Sequence, residues 1–155
     1  AAKWLSKQPN VDAANIGIWG WSFGGFMSSL CIMKGSDIFS TAISIAPVTN
    51  WRYYDSIYTE RYMRTPEENE SGYDNNSPMN YVDQLKGNLL LCHGTADDNV
   101  HVQNTYELAE RLVQANKQFD MAIYTNRNHS IFGGKTSLQL YTKFVKYLKD
   151  HMQKR

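Results

Sequence analysis

Three side chains in this sequence have the types and the order that acyl transfer needs. Ser22 lies in Gly20-Trp21-Ser22-Phe23-Gly24, a G-x-S-x-G pattern followed by a further Gly25. A serine hydroxyl is a weak nucleophile until a neighbouring imidazole takes its proton during attack. His129, in Asn126-Arg127-Asn128-His129-Ser130, supplies such a base. A carboxylate must then fix the imidazole's tautomer and stabilise the imidazolium that forms. Asp97 and Asp98, which end the stretch His93-Gly94-Thr95-Ala96-Asp97-Asp98, both qualify. Spacing alone does not separate adjacent residues, and the competing role for Asp98 is to cap a helix that begins near Val100. The other histidines have plainer readings: His93 packs as a hydrogen-bonded structural residue, His101 enters a helix, and His151 lies on a charged, solvated tail.

The elements around these residues supply the context. Asn15–Trp19 reads as a buried strand directly before the serine, and Gly25–Met33 as the helix after it, ended by Gly35. Glycines flanking a nucleophile let strand and helix approach closely, and the turn lifts the hydroxyl above the strand ends. Phe39–Ala46 predicts a second strand, stopped by Pro47. Residues 50–80 break the alternation, first rich in aromatics and then polar, as an insertion of short helices and loops that tends to carry function. Asn88–Cys92 is a continuous apolar run, as in a parallel sheet covered on both faces. Val102, Thr105, Tyr106, Ala109, Leu112 and Val113 then mark a helix face, Phe119–Tyr124 a fourth strand, and Leu138, Tyr141, Phe144, Val145 and Leu148 the buried stripe of a last helix. Strands alternating with helices predict a mostly parallel α/β sheet. Ser22, Asp97 and His129 then all fall at strand C-terminal ends, where such sheets bind ligands, in the order Ser, Asp, His that the α/β-hydrolase fold uses.

Composition narrows the rest. With 155 residues, 42% apolar and 20% charged, the chain can bury one sizeable core. A formal charge of +1 gives no reason to expect nucleic acid as a partner. No apolar run approaches the ~18 residues of a membrane span, and the N-terminus lacks a signal-peptide pattern. The opening Ala1-Ala2-Lys3-Trp4-Leu5 reads as the end of a helix stopping before Pro9, and so as a piece cut from a longer protein. Cys31 and Cys92 fit no metal-ligand spacing and read as two buried free thiols, although a disulfide stays open.

Three stretches together resemble the dipeptidyl peptidase IV group of the prolyl oligopeptidase family. They are Gly20 to Gly25, the run Trp51-Arg52-Tyr53-Tyr54-Asp55-Ser56-Ile57-Tyr58-Thr59-Glu60-Arg61-Tyr62-Met63, and His93 to His101. Generic hydrolases have nothing like the middle run. The resemblance implies an exopeptidase that releases dipeptides from free N-termini, cutting after proline (or alanine) at the second position through an acyl-serine. It assigns Ser22, Asp97 and His129 as the triad, favouring Asp97 over Asp98, and makes the Phe23 backbone N–H half of the oxyanion hole. Val48, Trp51, Tyr54, Tyr58 and Val100 would wall the proline pocket, and Asn99 would hold the carbonyl of the preceding substrate residue. A compact apolar ring with no N–H suits such an aromatic box. From composition alone, the same tyrosines read as cover for a core.

The resemblance further implies no metal and no coenzyme, peptide substrates, homodimerisation, and a location outside the cytoplasm (periplasmic, secreted or cell-surface). Residues 1–155 would form part of an α/β-hydrolase peptidase domain, with the first strands of the sheet and a β-propeller upstream; alone, the segment would have little or no activity. Asn69-Glu70-Ser71 and Asn75-Asn76-Ser77 match the glycosylation pattern of secreted eukaryotic proteins. The competing readings are another prolyl oligopeptidase-type enzyme (an acylaminoacyl peptidase or endopeptidase), a carboxylesterase, or a catalytically dead interaction protein. Dead relatives lose triad residues, and all three stand here.

Overall fold

The computed structural model describes residues 1–152. Four strands, β1 (Ile16–Trp21), β2 (Phe39–Ile45), β3 (Asn88–Gly94) and β4 (Asp120–Tyr124), pair in that order, and every pairing is parallel. The sheet is as the alternation predicts. Helix α1 (Ala2–Leu5) opens the chain and, as expected, stops before Pro9. Helix α2 (Phe23–Lys34) joins β1 to β2, while α3 (Ser56–Met63), α4 (Glu70–Asp74) and two 3-10 turns fill the long excursion between β2 and β3. Helix α5 (Gln103–Gln114) joins β3 to β4, and α6 (Thr136–Met152) follows β4.

Successive side chains of a strand point to opposite faces of its sheet, and β3 shows what that requires here. Leu89 and Leu91 pack with Ile32 and Met33 of α2 and Leu108 and Leu112 of α5. Leu90 and Cys92 pack on the other face with Leu140, Phe144 and Tyr147 of α6. A strand covered on both sides has no polar face, which accounts for its unbroken apolar sequence.

Two helix faces differ from the sequence reading. On α5 the buried stripe is Thr105, Leu108, Ala109 and Leu112, while Tyr106 and Val113 are exposed. The face is centred on Leu108, which the expected stripe leaves out. On α6 the sheet takes Leu140, Phe144 and Tyr147, whereas Leu138, Tyr141 and Val145 are 70%, 51% and 53% exposed. This helix carries two apolar stripes, and the one that matches the pattern most obviously points outward. His151 is not wholly solvated either: its ring lies 4.3 Å from that of Tyr147, one turn earlier. Both cysteines are free, Cys92 fully buried but Cys31 only partly so.

Candidate active site

β1 passes directly into α2 through Ser22, with no loop residue between. The strand runs two residues further than the apolar pattern suggests, and the helix begins at Phe23. Ser22 therefore absorbs the whole change of direction, at φ 59° and ψ −117°. A non-glycine residue held at positive φ costs on the order of 1–3 kcal/mol and persists only where its surroundings over-determine it. Its amide donates to the Ile45 carbonyl at 2.8 Å and its carbonyl accepts from Phe26 at 3.0 Å. The hydroxyl caps nothing in α2 and is left for chemistry.

The glycines of the motif do different jobs. A Cβ on Gly20 would run into the backbone of Gly24, so strand and helix meet there only because Gly20 has none. A Cβ on Gly24 would enter open space. The close approach expected of both flanking glycines thus needs only the first. Phe23 opens α2, and the N–H groups of a helix's first turn have no acceptor within the helix. Such free N–H groups at a helix start favour negative charge nearby.

Asp97 and His129 meet across the ends of β3 and β4. His129 Nδ1 donates to Asp97 Oδ2 at 2.7 Å, and the carboxylate is buried while the imidazole is partly open. Asp97 Oδ1 accepts from the amides of Asn99 and Val100 at 3.0 and 2.9 Å. Burial by itself would push this carboxyl group's pKa up. The hydrogen bonds from His129 and His93, the charge of His129 and the Asn99 amide together outweigh burial and hold it well below the usual carboxylate range. Asp98 is exposed, and α5 starts only at Gln103, so Asp98 does not cap it. His101 precedes α5, its Nδ1 accepting from the Gln103 amide at 3.3 Å.

The two loops are laced together. Ala96 donates to the Arg127 carbonyl and Thr95 to the Tyr124 carbonyl, both at 3.0 Å, and the Asn126 amide donates to Thr95 Oγ1 at 2.9 Å. A Cβ on Gly94 would fall well inside contact distance of the Arg127 carbonyl oxygen. The His129 loop is tied to β1 as well, because Trp21 Nε1 donates to the His129 carbonyl at 2.8 Å. No hydrogen bond joins Ser22 Oγ to His129 among the described residues; such contacts often close only around substrate.

The aromatic run folds against this corner. Asn50 caps the 3-10 turn at Trp51–Tyr53 and Asp55 caps α3, each by accepting a backbone N–H. Trp51 stacks on Tyr58 at 6.0 Å, and Tyr54 meets Tyr58 edge-on at 5.3 Å. Val48, Trp51 and Val100 are buried in one cluster with Phe26 and Tyr73, and Tyr54 packs against it. The expected pocket residues are therefore neighbours. A cavity of about 510 Å³ has Phe23, Trp51, Tyr58 and Tyr62 on its aromatic side and Thr59, Asn69 and Asn76 on its polar side; of the expected pocket residues only Trp51 and Tyr58 line it, and Val48, Tyr54, Asn99 and Val100 do not. Tyr54 donates to Asn99 Oδ1 at 2.8 Å, which occupies that oxygen and leaves the side-chain NH₂ of the exposed Asn99 outside this bond. Burial first, then Asp55, Tyr58 and Asp97, raises the Tyr54 pKa and keeps the phenol a donor.

The sequence reading gave Trp21, Thr105 and His93 no role in the site, naming Thr105 only on a helix face and His93 as a structural residue. A hydrogen bond from Trp21 to a backbone carbonyl 108 residues away leaves no signal in the local pattern.

Comparison with known proteins places the chain in a family and a fold. The sequence profile described as the prolyl oligopeptidase family matches residues 1–155. Dipeptidyl peptidase 4 of Felis catus is 42% identical over 153 residues, covering 97% of this chain and 20% of the relative. A probable dipeptidyl-aminopeptidase B of Aspergillus oryzae is 42% identical over 150 residues, 95% of this chain and 17% of the relative. The crystal structure of Porphyromonas gingivalis dipeptidyl peptidase 4 superposes with a TM-score of 0.95 at 54% identity, covering 97% of this chain and 21% of that one. The chain thus spans about a fifth of the length of the curated relatives it matches. Its parallel sheet and flanking helices are those of the α/β-hydrolase fold in these neighbours. With the serine elbow, the buried carboxylate and the family profile extending over every residue, the chain belongs to the prolyl oligopeptidase family.

Proposed function

We propose that this chain carries the reaction centre of a serine exopeptidase that releases N-terminal dipeptides whose second residue is proline (or alanine). The observation that carries the reading is the Asp97–His129 hydrogen bond at the sheet end where Ser22 is held in its strained turn. Ser22 Oγ attacks the scissile carbonyl while His129 Nε2 takes its proton. The tetrahedral oxyanion is met by the Phe23 N–H and by a second donor from elsewhere in the whole protein. Collapse expels the amine, protonated by His129, and leaves an acyl-serine. Water, deprotonated by His129, then releases the dipeptide and restores Ser22. The box of Val48, Trp51, Tyr54, Tyr58 and Val100 selects a compact apolar ring, and Asn99 holds the carbonyl before it.

The outward stripe of Leu138, Tyr141 and Val145 on α6 is the surface through which the whole protein dimerises. An extracytoplasmic location rests on family resemblance; no helix among the described residues is long and apolar enough to cross a membrane.

The test is a substrate panel on the full-length protein carrying this segment: Gly-Pro amide, an acyl-amino acid amide and a simple ester, beside a serine-directed phosphonate. Gly-Pro amide should turn over fastest, with the phosphonate mapping to Ser22. Labelling without Gly-Pro turnover would move the specificity to another branch of the family. Neither signal in a folded protein would leave the dead scaffold. The same assay on the 155-residue chain by itself should show little or no turnover.

Gly94→Ala tests how the acid and base loops depend on each other. The added methyl must displace the Arg127 carbonyl, two residues before His129, from its bond with Ala96. Overpacking of this kind costs about 1–3 kcal/mol, and a 1 Å misplacement of a catalytic group costs about 100-fold. A lower thermal midpoint and a kcat down by about two orders of magnitude are expected. A variant with parental kcat would show that the loops are not coupled here.

A further inference from the structure

We infer that His93 is a positioning residue for the triad, a buried imidazole that clamps the Asp97 carboxylate in the orientation that receives His129. The inference rests on the serine-peptidase reading above and deepens it. His93 lies near the end of β3, fully buried, four residues before Asp97. Its Nε2 stands 3.1 Å from Asp97 Oδ2 and 2.8 Å from the Val100 carbonyl oxygen. A carboxylate and a carbonyl only accept, so the proton sits on Nε2. Nδ1 lies 2.7 Å from the buried Thr105 Oγ1 of α5, whose hydroxyl donates to it when the ring is neutral. Thr105 thereby sets the tautomer that points an N–H at Asp97, as second partners do for catalytic and metal-bound histidines.

Asp97 then receives four N–H groups: two at Oδ1 from the amides of Asn99 and Val100, and two at Oδ2 from His129 and His93. The His93 N–H is shared with the Val100 carbonyl, its nearer acceptor, yet with it all of the carboxylate's roughly four acceptor sites face a donor, and the group cannot rotate without breaking a bond. His129 is the partly open member of this set. Its direction toward Ser22 therefore depends on the buried side of the carboxylate staying fixed. A histidine that only filled space would have no need to share the oxygen that His129 uses. The titratable groups that bear on Asp97 are His129, His93 and, across the aromatic corner, the Tyr54 phenol.

The experiment compares His93→Leu, His93→Gln and Thr105→Val in the full-length protein, with the phosphonate label and thermal unfolding as controls. His93→Leu removes the donor. Its kcat should fall about 10–100-fold, with KM within about two-fold of the parent's, as for loss of one bond to a charged group. The acid limb of its kcat profile should move up, because a carboxylate that has lost one donor keeps more of its charge for the imidazolium formed in the reaction. His93→Gln, whose amide can donate to both Asp97 and Val100, should recover kcat to within a few-fold. Thr105→Val keeps the ring and the Nε2–H that two acceptors still demand, but strips Nδ1 of its donor and loosens the ring's seat, and should lower kcat about 2–10-fold. It also keeps the test open if His93→Leu does not fold.

An unlabelled parent would overturn the serine reading and this inference with it. A labelled parent whose folded His93→Leu keeps its kcat and acid limb, or whose Thr105→Val is unchanged, would overturn the positioning role alone. Equal losses in the Leu and Gln variants with an unmoved acid limb would also overturn it, in favour of packing.

Discussion

Ser22→Ala in the full-length protein should lose about five to six orders of magnitude in kcat on Gly-Pro amide and all phosphonate labelling, with substrate binding nearly unchanged. The size follows from what the hydroxyl does. Without Oγ there is no acyl-serine, and the remaining routes are direct attack by water aided by the oxyanion donors and by binding. The variant should fold at least as well as the parent. Ser22 Oγ caps nothing, and its backbone bonds to Ile45 and Phe26 do not involve the side chain. Alanine inherits the cost of positive φ, so no strain is relieved. Binding of a non-hydrolysed Gly-Pro analogue by calorimetry, beside single-turnover kinetics, separates the two effects. Residual turnover above about one per cent of the parent's would remove Ser22 from the chemistry. Loss of binding together with turnover would make the elbow a structural turn.

How much of this could be read from the residues depends on how local each contact is. The strand–turn–helix around Ser22 is legible because its requirement is short-range: the backbone of Gly20 meets that of Gly24 four residues later. The parallel sheet is legible because β3 is covered on both faces and so has no polar alternation to mislead. The helix faces are less so. Apolar residues on α6 form two overlapping stripes, and periodicity does not say which one the sheet takes and which is left outside. On α5 a single leucine outside the expected stripe, Leu108, shifts the face by about one position.

The candidate site divides in the same way. Ser22, Asp97 and His129 follow strand ends in the chain order that the fold uses, so their type and position carry the signal. The aromatic box was legible by resemblance, since composition alone reads those tyrosines as core cover. The core-cover description fits Val48, Trp51 and Val100, which are buried in one cluster, while Tyr58 is 40% exposed beside them. The supports of the triad were not legible. Trp21 reaches His129 from the far end of the chain, and His93 reaches Thr105 from another element. These bonds exist only once the sheet has formed, so no spacing in the sequence announces them.

The adjacent carboxylates make the sharpest contrast. Asp97→Asn should lower kcat about 10⁴-fold, whereas Asp98→Asn should leave it within about two-fold. An asparagine at 97 can still accept from the Asn99 and Val100 amides through its carbonyl oxygen. Its NH₂ then faces His129 Nδ1 and His93 Nε2, the two N–H groups that now meet Oδ2. A donor set against donors must push His129 into the tautomer with its proton on Nε2, which cannot take one from Ser22. The negative charge that stabilises the imidazolium is lost as well. The pH dependence has a definite sign. Asp97 is held below the usual carboxylate range, so its ionised form stabilises the folded state above a pH of about 4. That contribution is lost as pH falls below this value through the depressed folded pKa. Asp97→Asn should therefore flatten the acid side of the stability curve. Steady-state kinetics and urea midpoints between about pH 3 and 7 read both effects. An Asp98 variant as damaged as Asp97→Asn would mean that the loop, not the carboxylate, is what His129 needs.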